Sequence, residues 1–193
     1  EFIREIRGQK SVNPSFIPLE TVESKFIRRE GGCDMQPELQ VNAIYTGGHR
    51  PTPLLFIHGM WHGAWCWDDF MEFFADAGYR TDALSLRGHG GSKGEIRGST
   101  IADYVADVEH VARKFENHPV LIGHSMGGFI VQKYLETHDA PAGVLLASVP
   151  PYGVWPALGR VFLHDPRIVL RALFTWRMYP VVERPADARW ALF

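Results

Sequence analysis

The sequence predicts an α/β fold, a mostly parallel sheet that opens with an antiparallel hairpin and carries helices on both faces. Three observations predict it. Short continuous apolar runs at residues 54–57, 120–123 and 143–147 have the pattern of strands covered on both sides. Helical stretches separate these runs, and strand alternating with helix requires parallel strands joined by crossovers. Before residue 54 the pattern differs: in 22–27 and 39–45 apolar and polar residues alternate, as on a half-buried antiparallel pair.

The elements follow in order. Residues 1–20, with Pro14 and Pro18, show no sustained period and read as a leader flanking the domain. Gly31-Gly32 and Gly47-Gly48 supply turns around the two alternating strands. After the strand at 54–57, residues 81–86 read as the next one. Ile101, Tyr104, Val105, Val108, Val111, Ala112 and Phe115 then form one apolar helical stripe. Thr100 with Asp103 resembles a capping box at its start. Residues 120–123 form a strand, Phe129, Ile130, Tyr134 and Leu135 mark a helix, and 143–147 form a further strand. After Pro150-Pro151 the alternation stops. Residues 152–193 are rich in Trp, Arg and Leu, and 168–174 form a helix.

Composition bounds the function. At 193 residues, with 46% hydrophobic and 22% charged, the chain suits one domain with its own core and is not a disordered or coiled-coil polypeptide. A formal net charge of −2 without any Lys/Arg block argues against nucleic acid as a partner. No apolar run approaches the ~20 residues of a membrane span, and no signal-peptide pattern opens the chain. Cys33 and Cys66 are too few for a disulfide framework and read as two unpaired thiols, so a cytoplasmic location is expected. Cys66, between Trp65 and Trp67, is expected to pack as a small hydrophobe.

One motif carries chemistry. Gly123-His124-Ser125-Met126-Gly127 fits G-x-S-x-G between an apolar strand and a helix. Such a serine sits on a sharp, strained strand-to-helix turn, with small residues on either side that let the chain bend. Ser125 is therefore the candidate nucleophile. Acyl transfer also needs two backbone N–H donors at the developing oxyanion. One belongs to the residue after the nucleophile, Met126. The other comes from the earlier loop His58-Gly59-Met60, at Met60. His58 itself reads as a structural histidine. Trp61 and His124 are the candidate pocket residues, and Trp61, Trp65 and Trp67 fit an aromatic pocket and a core equally well.

Rival motifs are weak. Residues 88–94, Gly-His-Gly-Gly-Ser-Lys-Gly, have Ser before Lys and no helix directly after, so they are not a Walker A loop. They also lack the third spaced glycine of a dinucleotide fingerprint and are expected to form a surface loop at the rim of the site. His58 and His62 have metal-ligand spacing, but Gly59 and Gly63 oppose the helix that would align them, so no metal is expected.

With His58-Gly59-Met60, Arg87-Gly88-His89-Gly90-Gly91-Ser92 and Gly123-His124-Ser125-Met126-Gly127-Gly128 in order, the chain resembles the α/β-hydrolase superfamily over about residues 22–150. The stretch from His58 to Trp67 is similar to the methylesterase and hydroxynitrile-lyase branch, and Arg87-Gly88-His89-Gly90 to bacterial esterases, lipases and C–C hydrolases. The resemblance implies an α/β-hydrolase fold with its core in 21–150 and the start of a helical cap in 151–193. It further implies a serine hydrolase of small carboxylic esters that needs no cofactor. The family completes its triad with an Asp or Glu and then a His on later strand-end loops. His138, Asp139, His164, Asp165 and Asp187 follow Ser125, but none lies after a recognisable strand, so the base and acid are expected beyond residue 193. The competing expectation is an incomplete fragment or pseudoenzyme that binds an apolar ligand or a partner. Its open sheet edge would then favour self-association. Within the fold, perhydrolysis, C–C hydrolysis and cyanohydrin cleavage remain open.

Overall fold

A computed structural model describes residues 23–27, 37–48, 50–175 and 183–186. The 1–20 leader, Cys33 and Asp187 lie outside the described residues. Among the described residues six strands form one sheet: β1 (Glu23–Ile27), β2 (Leu39–Ile44), β3 (Leu54–Ile57), β4 (Thr81–Leu84), β5 (Val120–His124) and β6 (Gly143–Leu146), in the order β1-β2-β4-β3-β5-β6. β2 pairs antiparallel with both β1 and β4, and the remaining pairs are parallel. The helices are α1 (Asp68–Asp76), α2 (Ile101–Ala112), α3 (Met126–Leu135), α4 (Trp155–His164) and α5 (Pro166–Thr175).

β3 shows why a continuous apolar run makes a central strand. Successive side chains point to opposite faces, so Leu55 and Ile57 enter one core while Leu54 and Phe56 enter the other. The first core joins Leu84 and Leu121 to Tyr104, Val108 and Val111 of α2 and to Ile130 and Val131 of α3. The second packs Phe56 against Trp67, with ring centroids 5.1 Å apart, and holds Met71 and Ala75 of α1. β6 is less well covered: Val144 and Leu145 remain 40% and 44% exposed at the end of the described sheet.

The expected capping box is present. Thr100 Oγ1 accepts the Asp103 N–H at 3.2 Å, and Asp103 Oδ2 accepts the Thr100 N–H at 2.8 Å. Two boundaries differ from expectation. β4 ends at Leu84 instead of continuing to residue 86: Ser85 N–H still reaches the Gln40 carbonyl of β2 at 2.9 Å, but Leu86 N–H donates to a side chain, His58 Nε2, at 3.0 Å. In 151–193, where the sequence marks one helix at 168–174, α4 adds a second, with Pro156 in its first turn, where a missing N–H costs nothing. Helices α4 and α5 pack around Val161, Ile168 and Val169, a small cluster separate from both cores.

Behind β4, Arg87 is clamped to α2. Its Nε and Nη2 donate to Asp107 at 3.0 and 2.6 Å, its Nη1 reaches Asp103 at 3.1 Å, and its backbone N–H also donates to Asp107. Asp107 is fully buried. Removing one partner of a buried ion pair leaves the other charge desolvated. Asp107→Ala should therefore lower unfolding free energy by about 3–5 kcal/mol in denaturant titration, whereas exposed Glu136→Ala should change it by less than about 1 kcal/mol.

Candidate active site

The site forms where β5 turns into α3. Ser125 occupies the turn with φ 53° and ψ −115°, a conformation that non-glycine residues rarely adopt and that costs on the order of 1–3 kcal/mol. Three backbone hydrogen bonds hold it there. Ser125 N–H donates to the Leu146 carbonyl at 3.0 Å, and the Ser125 carbonyl accepts from Val149 and Phe129 N–H at 3.1 and 3.2 Å. The side chain is half-buried and precedes the first turn of α3, whose leading N–H groups have no intrahelical acceptor.

Glycines make this turn possible because backbone lies on backbone. A Cβ on Gly123 would strike the Gly127 carbonyl, and one on Gly127 would strike the Ile57 carbonyl and approach the His58 carbonyl at 2.6 Å. A Cβ on Gly59 would lie 3.1 Å from His124 Nδ1 and 3.2 Å from Ser125 Cβ. The loop after β3 thus lies against the turn, with Met60 one residue from the contact. Met60 is partly buried against the first core, and Met126 is 8% exposed within it.

The histidines of these loops have separate environments. His58 is fully buried; its Nε2 accepts the Leu86 N–H, and its Nδ1 donates to the Gly59 carbonyl at 2.7 Å. Burial above all, with smaller contributions from His89 and His62, brings its pKa down to about 4 despite the Gly59 bond. His124 is half-buried, and its pKa is also lowered, first by burial and then by nearby His62. The His62 and His124 rings meet edge-on at 6.1 Å, and His62 Nδ1 is buried without a hydrogen-bond partner. In the sequence His62 stands out only by its metal-ligand spacing from His58; its place beside the turn has no sequence signal of its own.

The tryptophans divide. Trp67 is core, whereas Trp61 and Trp65 stay 44% and 58% exposed. Cys66 packs against the second core, and its thiol pKa is pushed up to about 11, first by burial and then by the charge of Asp68. The 88–94 loop lies at the surface as expected, with Gly90, Gly91, Lys93 and Gly94 exposed, but two of its side chains, His89 and Ser92, are buried. His89 Nε2 lies 2.9 Å from the Met60 carbonyl, and Ser92 Oγ accepts the Gln40 N–H at 2.8 Å.

The later histidines stand elsewhere. His138 stacks on Tyr134 at 4.4 Å and reaches Glu109 of α2 at 3.1 Å, so it ties two helices together. His164 ends α4, exposed, with Asp165 bonded to the Arg167 N–H. Neither lies on a loop after a described strand.

A model of the alpha/beta hydrolase family matches residues 54–193. The chain belongs to that family. A non-heme chloroperoxidase from Burkholderia pyrrocinia is 38% identical over 111 residues, covering 54% of this chain and 40% of the relative. A probable esterase from Oryza sativa subsp. indica is 31% identical over 108 residues, covering 50% of this chain and 39% of the relative. Among solved structures, alpha/beta hydrolase domain-containing protein 10 from mouse shares the fold with a TM-score of 0.60 at 19% identity, covering 78% of this chain and 59% of that one. The chain's matches span less than half the length of these two curated relatives. Among the described residues, no helix is long and apolar enough to cross a membrane.

Two outcomes check this geometry. Gly127→Ala should destabilise the fold by about 3 kcal/mol or more in thermal or denaturant unfolding, since its methyl meets rigid backbone. His58 contributes pH dependence of known sign. Between about pH 6.5 and 4 the unfolded imidazole binds a proton that the folded one refuses, so stability falls with acidification across that window, by up to about 3 kcal/mol. Unfolding titrations at pH 7, 5 and 4 should show this slope, reduced in His58→Asn.

Proposed function

We propose that the chain carries the nucleophilic half of a serine hydrolase acting on carboxylic esters with an apolar acyl or alcohol part. The observation that supports this most is the strained φ of 53° at Ser125, between a strand end and a helix start. Strain of this kind persists where it exposes a reacting atom. In this reading Ser125 Oγ attacks the ester carbonyl while the Met60 and Met126 N–H groups receive the developing oxyanion. The acyl-enzyme is then hydrolysed by water. In this reading neither His138, held between Tyr134 and Glu109, nor His164, at the exposed end of α4, takes the Ser125 proton. Helices α4 and α5 begin a cap above the site in this reading, and Trp61 and His124 border the bound substrate. No cofactor enters this chemistry. The exposed Val144 and Leu145 of β6 favour self-association of the 193-residue chain along that edge.

The chloroperoxidase relative favours a second reading on the same residues, in which hydrogen peroxide replaces water as the acyl acceptor. Peracid formation from a carboxylic acid and peroxide separates the two.

In a polypeptide that hydrolyses a short-chain nitrophenyl ester, Ser125→Ala should lower kcat by a factor on the order of 10⁶; retention of most activity removes Ser125 from this role. Met126→Leu should change kcat little, whereas Met126→Pro, which deletes the N–H, should cost on the order of 10²–10³ or more. A serine without its base is a weak nucleophile. The 193-residue chain alone should therefore react slowly with a fluorophosphonate probe, and rapid stoichiometric labelling would place a base within it.

A further inference from the structure

Two peptide units flank Met60, and each faces an imidazole through its carbonyl. The Gly59–Met60 peptide, which carries the Met60 N–H, has its oxygen 2.7 Å from His58 Nδ1 and 3.2 Å from the His62 backbone N–H. The Met60–Trp61 peptide has its oxygen 2.9 Å from His89 Nε2. In a trans peptide the N–H and C=O point in opposite directions. Anchoring the Gly59 carbonyl therefore fixes where the Met60 N–H points. The His58 tautomer is fixed as well. Because Leu86 N–H donates to Nε2 at 3.0 Å, Nε2 must be bare and the single proton must sit on Nδ1, facing Gly59. Both ring nitrogens are used, and the ring is fully buried, so neither meets substrate.

We infer that His58 is a positioning residue: as the neutral Nδ1–H tautomer, it locks the Gly59–Met60 peptide so that the Met60 N–H is aimed at the oxyanion of an ester attacked by Ser125. This rests on the hydrolase reading above. Without the His58 bond the Gly59 carbonyl keeps only the longer bond from the His62 N–H, so the peptide turns more easily, and a carbonyl oxygen in place of the N–H would repel the charge it should hold.

Two substitutions separate the bonds. Asparagine places its amide near the position of Nδ1 and keeps a donor for the Gly59 carbonyl. Glutamine reaches the position of Nε2 and keeps an acceptor for Leu86 N–H, but leaves the Gly59 carbonyl with only the His62 N–H. In the full-length active polypeptide, His58→Asn should retain kcat within about tenfold, and His58→Gln should lose on the order of 10²–10³, the effect of one missing oxyanion donor, with KM unchanged in both. Equal loss of kcat in the two variants, with wild type labelled at Ser125 by a fluorophosphonate, overturns this inference alone. A wild type that neither labels nor hydrolyses the nitrophenyl ester removes the hydrolase reading and this inference with it. Should neither variant fold, ¹⁵N chemical shifts of His58 in the wild-type protein at pH 7 decide the matter. The neutral Nδ1–H form is expected, and an Nε2–H tautomer or a cation overturns the lock.

Discussion

Backbone packed directly on backbone is the constraint on which this structure depends. The turn after β5 lies so close to the end of β3 that Gly127 has no room for even a methyl group against the Ile57 and His58 carbonyls. Gly59 is similarly confined against His124 and Ser125. The Gly127 contacts are made by backbone atoms that cannot change rotamer, so they fix the separation of the two loops. Catalytic groups work only when held in place. The parallel β3–β5 pairing, with Ile57 opposite Gly123, brings both strands to an end at the same level and so creates the contact.

Around that contact the fold places polar groups where no water can serve them. His58, Asp107 and Ser85 are each fully buried, and each has partners within the chain. Ser85 Oγ accepts the Ala64 N–H at 3.0 Å and donates to Gln40 at 3.1 Å, so the loops after β3 and β4 share one network with β2. Such networks are costly when half satisfied and rigid when complete. Rigidity is the relevant property here, because a preorganised site needs loops that do not wander.

Much of this was legible in the sequence, for physical reasons. The continuous run Leu54–Ile57 and the stripe from Ile101 to Ala112 announce burial directly, since periodicity reports which faces meet water. Thr100 and Asp103 mark a helix start by local hydrogen bonding alone. The elbow was readable because only glycines tolerate its geometry. What sequence could not give was long-range pairing. Nothing local reveals that Leu86 N–H finds His58 across 28 residues, so β4 was read two residues too long. The burial of His89 was missed for a similar reason: Gly88, Gly90 and Gly91 resemble a solvent loop, whereas here they let the chain press against Gln40, Ser85 and Ile96. The three tryptophans looked alike on paper. Only the 3-10 turn at Ala64–Trp67 sends Trp67 inward and leaves Trp65 outside.

The bond from Ser125 N–H to the Leu146 carbonyl has a consequence for motion. The residue with the most strained backbone in the site borrows its restraint from β6, and β6 is the end strand of the described sheet. End strands open by local fluctuation more readily than central ones. The amide of Ser125 is therefore a built-in gauge of that edge. Its hydrogen-exchange protection should follow whatever covers Val144 and Leu145, rising as the edge is covered and falling as it frays, while the amides of β3 remain protected throughout. Through that single carbonyl, the pose of the serine is coupled to how firmly the sheet continues beside it.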